Sequence, residues 1–310
     1  MTATIVVREL TRKFGELTAV DRLSFEVPAG ALFGLVGPDG AGKTTTLRMI
    51  AGVLRPTAGA VSVGGADVVR DPEAGKRRIA YMPQRFGLYT DLTVRENLDF
   101  YADLFRVPQA ERAARLARLY HFSGLGSFEG RLAGQLSGGM KQKLALSCAL
   151  VHHPEILLLD EPTFGVDPIS RRDLWLILHE MVAGGVTVLV STAYMDEAER
   201  CDRVALLDRG RIVALDAPEA LQRSLPGRMF AVRAADPRRA AAVLAAAPGV
   251  RRAALFGDTV HVSVEGSEVA ALEAPLTGAG LAVLERHEIL PSLEDVFIER
   301  TAGTRSGGPT

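Results

Sequence analysis

Three short segments carry residue types that could do chemistry, and the first is GPDGAGKT at residues 37 to 44. It fits the pattern G-x-x-x-x-G-K-[ST] and lies between a strand-like apolar segment and a helix-like amphipathic one. Glycines let backbone N–H groups approach phosphate oxygens, and the start of a helix favours negative charge. Lys43 would supply a cation to the β and γ phosphates of a nucleotide, and Thr44 a hydroxyl to Mg²⁺. The segment therefore predicts a nucleotide phosphate site.

The second segment, EILLLDEP, brings two carboxylates to the end of an apolar strand. Ligands of α/β sheets bind at the carboxyl ends of strands, so Asp160 and Glu161 are expected at the same site as the phosphate loop. Asp160 would orient the Mg²⁺ sphere, and Glu161 could polarise an attacking water. Alone, an acidic pair after a strand is more typical of a solvated loop, and its pairing with the phosphate loop is what favours catalysis.

The third segment is LSGGMKQ at residues 136 to 142. Ser137, Gly138 and Gly139 precede a helix expected to begin near Met140. Exposed N–H groups and a hydroxyl at this start could bind a second anion. A purely structural N-cap is the alternative that this segment leaves open when it is taken alone.

Composition excludes several classes of protein. A chain of 310 residues, 47% hydrophobic and 24% charged, is typical of a soluble globular protein of about two domains. Its formal net charge of −1 provides no broad basic field, so no nucleic-acid partner is expected. The N-terminus lacks the pattern of an export signal, and no apolar run reaches the roughly 18 residues that cross a bilayer. We therefore expect a cytosolic chain whose membrane role, if it has one, requires a partner.

The elements around these segments predict an α/β fold. Two alternating apolar segments, TIVVREL and LSFEV, predict an antiparallel edge near the N-terminus. Helical patterns dominate from about Gln84 to Val151, after which strand patterns return in EILLLDEP, VTVLVST and RVALLDRGRIVAL. The sequence thus predicts a helical block, about residues 84–151, inserted into an α/β core.

A change of composition predicts a second domain. Residues 1–225 form the predicted first domain. Residues 226–300 read as strand, helix, two strands, helix and strand, which is the order of a small split α+β domain. The last segment, 301–310, has the composition of a disordered tail.

In this order, GPDGAGKT, LSGGMKQ and ILLLDEP resemble the motifs of the ATP-binding subunit of an ABC transporter, and the resemblance covers about residues 4 to 225. It implies a P-loop NTPase (RecA-like) core with an antiparallel β edge and a helical subdomain, and ATP and Mg²⁺ as cofactors. Subunits of that family dimerise head to tail, so that the phosphate loop of one and the signature motif of the other enclose each ATP. The resemblance therefore implies a second ATPase subunit, identical or different, as a partner.

The resemblance also implies individual roles. Phe14 would stack on adenine, with a place in the strand core as the alternative. Gln84 would reach Mg²⁺ and water and connect the ATP site to the helical block, and Asp167 in GVDP would lie in the loop that crosses the dimer interface. The implied ATP contacts are Phe14, Gly37, Pro38, Asp39, Gly40, Ala41, Gly42, Lys43, Thr44 and Thr45. The implied catalytic residues are Glu161 and Gln84, the implied Mg²⁺ ligands are Thr44, Gln84 and Asp160, and the signature residues acting on the partner's ATP are Ser137, Gly138, Gly139 and Gln142.

Within the family the chain is most similar to the ATPases of ABC-2 exporters, including multidrug types, which carry a C-terminal extension ending like SLEDVFIER at residues 292 to 300. That similarity implies a separate ABC-2 permease at the cytoplasmic face of a bacterial inner membrane. It also implies that the extension regulates or clasps the dimer. A soluble ABC ATPase for DNA repair, translation or cofactor assembly, or an importer ATPase, is the alternative.

One position departs from the family pattern. A histidine that contacts the γ phosphate follows the strand VTVLVST in the family, whereas STAYMDEAE places Ala193 there. Losing a donor aimed at the transferred phosphoryl group costs on the order of a hundred- to a thousandfold in rate. The chain could pair with a different ATPase that keeps its histidine, or form a homodimer in which Tyr194, Thr192 or a permease residue replaces the imidazole. A third possibility is a regulatory subunit that binds ATP without hydrolysing it, against which the presence of Glu161 argues.

Overall fold

The computed structural model describes residues 3–265 and 270–305, and the chain divides into two compact units between Pro218 and Glu219. The sequence predicts this boundary at residue 225, and the helix Pro218–Arg223 lies between the two positions. The strands of the first unit are β1 (Ala3–Phe14), β2 (Leu17–Pro28), β3 (Leu32–Val36), β4 (Ala58–Val63), β5 (Ala66–Asp67), β6 (Ile79–Met82), β7 (Ile156–Asp160), β8 (Thr187–Thr192), β9 (Arg203–Asp208) and β10 (Arg211–Asp216). Its helices are α1 (Lys43–Ile50), α2 (Pro72–Lys76), α3 (Val94–Leu104), α4 (Gln109–Ser123), α5 (Gly138–Leu150), α6 (Pro168–Ala183), α7 (Met195–Ala198) and α8 (Pro218–Arg223), the last of which runs across the boundary.

The first unit contains two sheets. One is antiparallel with the order β2-β1-β4-β5, and it confirms the predicted antiparallel edge. The other has the order β10-β9-β3-β8-β7-β6 and is parallel except for the β9–β10 pair. Every residue of β3, β7 and β8 is buried, as expected of parallel strands covered on both faces.

One hydrophobic core cluster contains residues of both sheets. Val7 and Phe25 from the antiparallel sheet, Phe33 and Leu158 from the parallel sheet and Leu47 from α1 belong to one buried cluster. Each such side chain contributes roughly 1.5–3 kcal/mol when fully buried. Because α1 is anchored in this core, the loop that precedes it is held at a fixed place above the parallel sheet.

The helical block lies between β6 and β7 in the chain and consists mainly of α3, α4 and α5. Residues 84–93 form a loop, and α3 begins only at Val94 because Thr93 and Glu96 form a capping box. The Glu96 N–H donates to Thr93 Oγ1 over 3.1 Å, and the Thr93 N–H donates to Glu96 Oε2 over 2.8 Å. These bonds fix the direction in which the block leaves the parallel sheet.

The second unit contains a strand, a helix, two strands, a helix and a strand, as the sequence predicts for residues 226–300, and then a further helix that was not predicted. Its elements are β11 (Arg228–Ala234), α9 (Pro237–Ala245), β12 (Val250–Phe256), β13 (Thr259–Val264), α10 (Ala270–Gly278), β14 (Val283–Ile289) and α11 (Leu293–Arg305). The strands form an antiparallel sheet of order β12-β13-β11-β14, packed against α9 and α10.

The end of the chain differs from the sequence expectation. Residues 301 to 305, predicted to be disordered, continue helix α11. Thr301 is buried, and its hydroxyl donates to the Phe297 carbonyl over 2.8 Å, so local packing outweighs a composition rich in small and polar residues. The rest of the predicted tail, 306–310, lies outside the described residues.

Candidate functional site

The candidate site lies where three adjacent parallel strands end. Strand β8 pairs with β3 on one side and with β7 on the other, placing Val36 beside Thr192 and Asp160 beside Ser191. The segments that follow these strands are the phosphate loop, the acidic pair and the turn that carries Ala193. The order of strands thus brings together three segments that are far apart in the sequence.

The phosphate loop has a backbone that requires glycine at its last position. Gly42 has φ 100°, and a Cβ there would lie 2.6 Å from the Ala19 carbonyl oxygen. Gly42 is also the N-cap of α1, and it offers no side chain to bond the first-turn N–H groups. Those groups remain available to an anionic ligand, which the helix dipole also favours.

Lys43 is buried, and its ammonium group is surrounded by oxygen atoms. Nζ donates to the Gly37 carbonyl over 2.6 Å and to the Pro38 carbonyl over 3.1 Å. It also lies 3.1 Å from Glu161 Oε1. A buried charge is tolerated only when it is paired in this way, and the pairing fixes the cation at the mouth of the loop.

Asp160 is 1% exposed and lies at the centre of an oxygen cluster. Its Oδ1 accepts from Thr44 Oγ1 over 2.9 Å and from Ser191 Oγ over 2.8 Å. Tyr81 Oη lies 3.5 Å from Oδ2, and burial, followed by this carboxylate, raises the pKa of the Tyr81 phenol. Hydroxyl and carboxylate oxygens are the hard donors that Mg²⁺ prefers, so Thr44 and Asp160 fit that ion.

Glu161 adopts an unusual backbone conformation for a residue with a side chain, with φ 49°. Its N–H donates to Ser191 Oγ over 3.0 Å and lies 3.2 Å from the Ser191 carbonyl oxygen. Its side chain accepts a bond from Gln84 Nε2 to Oε2 over 2.9 Å. Residues in such strained backbone conformations persist only where the surrounding structure holds them in place, and they are common at active sites.

Lys43, Thr44 and Glu161 line an open cleft whose empty volume, including open solvent, is about 1030 Å³. The Phe14 ring is 46% exposed at this cleft, and the Arg12 guanidinium carbon lies 4.5 Å from its centre. Leu17 and Phe164 also line the cleft and were missed by sequence reasoning. Leu17 pairs with Phe14 across the β1–β2 hairpin, so correct pairing of the two N-terminal strands would have identified it. The lining consists of Phe14, Leu17, Ala19, Asp39, Gly40, Ala41, Gly42, Lys43, Thr44, Thr45, Gln84, Glu161 and Phe164.

The predicted signature residues lie elsewhere on the first unit. Ser137 caps α5, where its Oγ accepts from the Met140 N–H over 3.3 Å. Gly139 packs on the start of α6 so closely that a Cβ there would lie 2.1 Å from Ser170 Oγ. Among the described residues that line the phosphate-loop cleft, none belongs to the segment 137–142. The signature motif therefore faces a different surface from the cleft of its own chain.

Asp167 caps helix α6. Its Oδ1 accepts from the Ile169 N–H over 3.1 Å and from the Ser170 N–H over 3.0 Å. Hydrogen bonds from Ser170, followed by a smaller contribution from Ile169, lower the pKa of the Asp167 carboxyl. The carboxylate is exposed and therefore open to contact from outside the chain.

The turn at Ala193 is held by its neighbours. The Thr192 hydroxyl is buried and donates to Glu197 Oε2 over 2.6 Å, while it accepts from the Tyr194 N–H over 3.0 Å. The Arg171 guanidinium carbon lies 4.4 Å from the centre of the Tyr194 ring. Thr192 is thus already engaged, which removes it from the side chains that could replace an imidazole.

Two features are absent from the described ranges 3–265 and 270–305. No helix there combines the length and apolar character that crossing a bilayer requires. Neither do three or more His, Cys, Asp or Glu side chains gather there into a group able to hold a metal ion.

Comparison with known proteins identifies the family. The family model described as ABC transporter matches residues 20–164. The probable multidrug ABC transporter ATP-binding protein YbhF of Escherichia coli (strain K12) is 43% identical over 305 residues, which are 97% of this chain and 52% of that protein. The Nod factor export ATP-binding protein I of Burkholderia thailandensis is 38% identical over 302 residues, covering 96% of this chain and 97% of the relative.

Solved structures agree with this match. A dimeric ATP-binding cassette in a post-hydrolysis state, bound to ADP and Pi, is 26% identical with a TM-score of 0.62, covering 69% of this chain and 98% of that one. The chain spans about half the length of YbhF, but nearly the whole length of the Nod factor export protein. The P-loop fold expected from the sequence is confirmed, and the chain belongs to the family of ABC transporter ATP-binding subunits, which are ATPases.

Proposed function

We propose that this chain binds and hydrolyses ATP to drive export of a substrate through a separate ABC-2 type membrane permease. The observation that carries the proposal is the meeting of Lys43, the Thr44–Asp160 pair and Glu161 at the uncapped start of α1. These groups supply a cation, Mg²⁺ ligands and a general base within one cleft. One relative is named for Nod factor export and the other for multidrug transport, and the first of these names supports export as the direction.

ATP hydrolysis in this cleft divides the work among a few residues. The loop N–H groups and Lys43 bind the phosphates, and Phe14 stacks on adenine. Thr44 and Asp160 would hold Mg²⁺, which would supply positive charge beside the phosphates. Glu161 accepts a proton from water as the water oxygen bonds to the γ phosphorus and the bond to the bridging oxygen of ADP breaks. Gln84, which contacts Glu161, orients that carboxylate and the water.

A second ATPase subunit completes the site. Ser137, Gly138, Gly139 and Gln142 lie outside the cleft of their own chain, so they can serve the ATP of a partner. The dimeric solved cassette supports this arrangement. Asp167, exposed at the start of α6, would contact the partner at the same interface.

An aromatic cluster next to Gln84 is the proposed permease contact. Phe86, Tyr89, Phe100, Tyr101 and Phe105 form a continuous series of ring contacts, with centroid separations from 4.6 to 6.4 Å. Three of these rings, Tyr89, Phe100 and Phe105, are exposed although they are large and apolar. Such patches mark interaction sites, and this one adjoins the residue that contacts the catalytic carboxylate. Docking here would place the chain at the cytoplasmic face of the membrane.

Ala193 suggests that the subunit works in an unequal pair. Alanine offers the γ phosphate no donor, so we expect tight ATP binding and slow hydrolysis at this chain's own site. Its intact signature motif would complete the site of a different ATPase that keeps the histidine. A homodimer aided by Tyr194 or a permease residue, and a non-hydrolysing regulatory subunit, are the competing arrangements.

The test compares ATP binding with ATP turnover in the purified chain. Lys43→Ala should weaken nucleotide binding by at least about tenfold, because the phosphates lose their buried cation. Glu161→Gln should keep binding within about threefold while lowering turnover by about a hundredfold or more. Unchanged binding in the first variant together with unchanged turnover in the second would contradict the proposal. Recovery of the tagged chain without any integral membrane protein would favour the soluble alternative.

A further inference from the structure

A buried carboxylate outside the predicted site joins three of its parts. Glu197 on α7 is 1% exposed, and its Oε2 accepts from Thr192 Oγ1 over 2.6 Å and from Thr163 Oγ1 over 3.0 Å. Its Oε1 lies 3.5 Å from Arg171 Nε. Ionised carboxylates are seldom buried unless they are paired and hydrogen-bonded, so all three contacts are needed to offset the cost of burial.

Each contact belongs to a different segment of the nucleotide site. Thr163 lies two residues after Glu161, in the loop that carries the proposed general base. Thr192 ends β8 directly before Ala193. Arg171 belongs to the first turn of α6, whose N-cap is Asp167 at the proposed dimer interface. One carboxylate therefore connects the hydrolysis loop, the Ala193 turn and the helix that would meet the partner.

Hydrogen-bond direction makes this connection specific. A carboxylate only accepts, so the Thr192 and Thr163 hydroxyls must both donate to Glu197. The Thr192 oxygen is then free to accept from the Tyr194 N–H, as observed over 3.0 Å. Ala193 thus lies between two residues whose orientations depend on Glu197.

Arg171 extends the network to the surface. Its guanidinium carbon lies 4.4 Å from the centre of the Tyr194 ring, which is 37% exposed. Arg171 Nε lies 3.5 Å from Glu197 Oε1, which makes the contact an ion pair. Both atoms are buried, and neither has a hydrogen-bond partner among the residues that the structure describes. A small movement of α6 would change this contact without disturbing the two hydroxyl bonds.

We infer that Glu197 is a positioning residue for hydrolysis, which holds the Glu161 loop and the Ala193 turn in one geometry and links both to the start of α6. It acts through Thr163 and Thr192 and does not itself contact the nucleotide. The inference rests on the proposed ATPase function. It adds a route by which dimer contact at Asp167 reaches the residues that hydrolyse ATP.

The test uses Glu197→Gln, which keeps the size of the side chain but removes its charge and one acceptor. Single-turnover hydrolysis of radiolabelled ATP, with protein in excess, should slow by about 10- to 100-fold, because small misplacement of reacting groups costs that much. The Kd for ATP should stay within about threefold, since the phosphate loop is untouched. Thr192→Val should act in the same direction with a smaller effect.

Thr187→Val is the matched control. Thr187 is a buried threonine at the opposite end of β8, where its Oγ1 accepts from the Gly30 N–H over 3.0 Å. The Thr187→Val variant should lower Tm about as much as Thr192→Val does, while its rate of ATP hydrolysis stays within about twofold of wild type. Equal loss of hydrolysis in the two threonine variants, or normal hydrolysis in Glu197→Gln, would overturn the inference.

Amide hydrogen exchange separates this inference from the proposed function. In nucleotide-free protein, Glu197→Gln should speed exchange in residues 161–166 and 193–196 by about tenfold or more, whereas Thr187→Val should not. If wild-type protein does not hydrolyse ATP but exchange responds this way, only the proposed hydrolysis fails. If hydrolysis is present and exchange is unchanged, the inference fails alone. Should Glu197→Gln not fold, Thr163→Val, which removes one of its bonds, replaces it in both measurements with the same criteria.

Discussion

Helices α1 and α6 both follow a buried strand of the same parallel sheet, yet their N-termini are built in opposite ways. Helix α1 begins after Gly42, which has no side chain to cap it. Helix α6 begins after Asp167, whose carboxylate accepts from two N–H groups of the first turn. The first helix leaves its N–H groups to a ligand, whereas the second satisfies them within the chain.

The contrast shows how the same element can be made into a binding site or a structural joint. At α1, glycine removes both the cap and the Cβ, and Lys43 adds a cation beside the free N–H groups. At α6, Pro168 in the first turn lacks an N–H, and Asp167 bonds two of the others. The start of α1 would therefore accommodate a phosphate, whereas the start of α6 already holds the Asp167 carboxylate.

The largest expected effect comes from breaking the ligand-binding end. Gly42→Ala would place a Cβ 2.6 Å from the Ala19 carbonyl oxygen at φ 100°, so the phosphate loop must move. We expect ATP affinity to fall by about a hundredfold or more, measured by titration with a fluorescent ATP analogue. Gly185→Ala is the control, because Gly185 also has positive φ but, apart from its chain neighbours, no atom of the described residues lies within 4 Å of the added Cβ. Equal affinity in Gly42→Ala and wild type would contradict the contrast.

A smaller effect is expected from breaking the self-capped end. Asp167→Ala removes the acceptor for two N–H groups, so Tm should fall by about 2–4 °C while ATP binding stays unchanged. Asp167→Asn should restore most of the lost stability, since asparagine is an equally good N-cap. Differential scanning calorimetry and nucleotide titration make the comparison. A loss of ATP affinity in Asp167→Ala equal to that in Gly42→Ala would erase the difference between the two ends.

The smallest expected effect is a dependence on pH of the stability of the α6 N-terminus. The pKa of Asp167 lies below its ordinary value of 3.8, mainly because Ser170 hydrogen-bonds the ionised form. The stabilisation is therefore fully present above about pH 4 and is lost as the pH falls through the lowered folded-state pKa. NMR shifts of the Ile169 and Ser170 N–H groups should titrate with that lowered pKa. A midpoint at or above 3.8 would show that the cap does not favour the carboxylate.

Much of the site could be predicted because its signals are local. The phosphate loop and the pair Asp160 and Glu161 are short patterns whose strand context is visible in the sequence. Asp167 was predicted only as a dimer-interface residue, although a carboxylate directly before a proline at a helix start also indicates the N-cap that the structure shows. These features depend on neighbouring residues, so the sequence alone identifies them.

The network around Glu197 could not be predicted in the same way. Thr163 and Glu197 are 34 positions apart, and they meet only because β7 and β8 are adjacent. Nothing local distinguishes Glu197 from the acidic surface residues on either side of it. Arg12 lies two residues before Phe14 on β1 and contacts its ring, a spacing that the sequence shows but that was not used to predict the contact. The helix at residues 301–305 was missed because burial outweighed composition.

We propose that this chain binds ATP at its own phosphate loop and hydrolyses it slowly because Ala193 provides no donor. The most direct measurement is single-turnover ATP hydrolysis by purified wild type, Ala193→His and Ala193→Leu, the last adding bulk without a donor. We expect Ala193→His to raise the rate of ATP hydrolysis on the order of a hundred- to a thousandfold with ATP affinity nearly unchanged. Ala193→Leu should not raise it. A wild-type rate equal to that of Ala193→His would contradict the proposal.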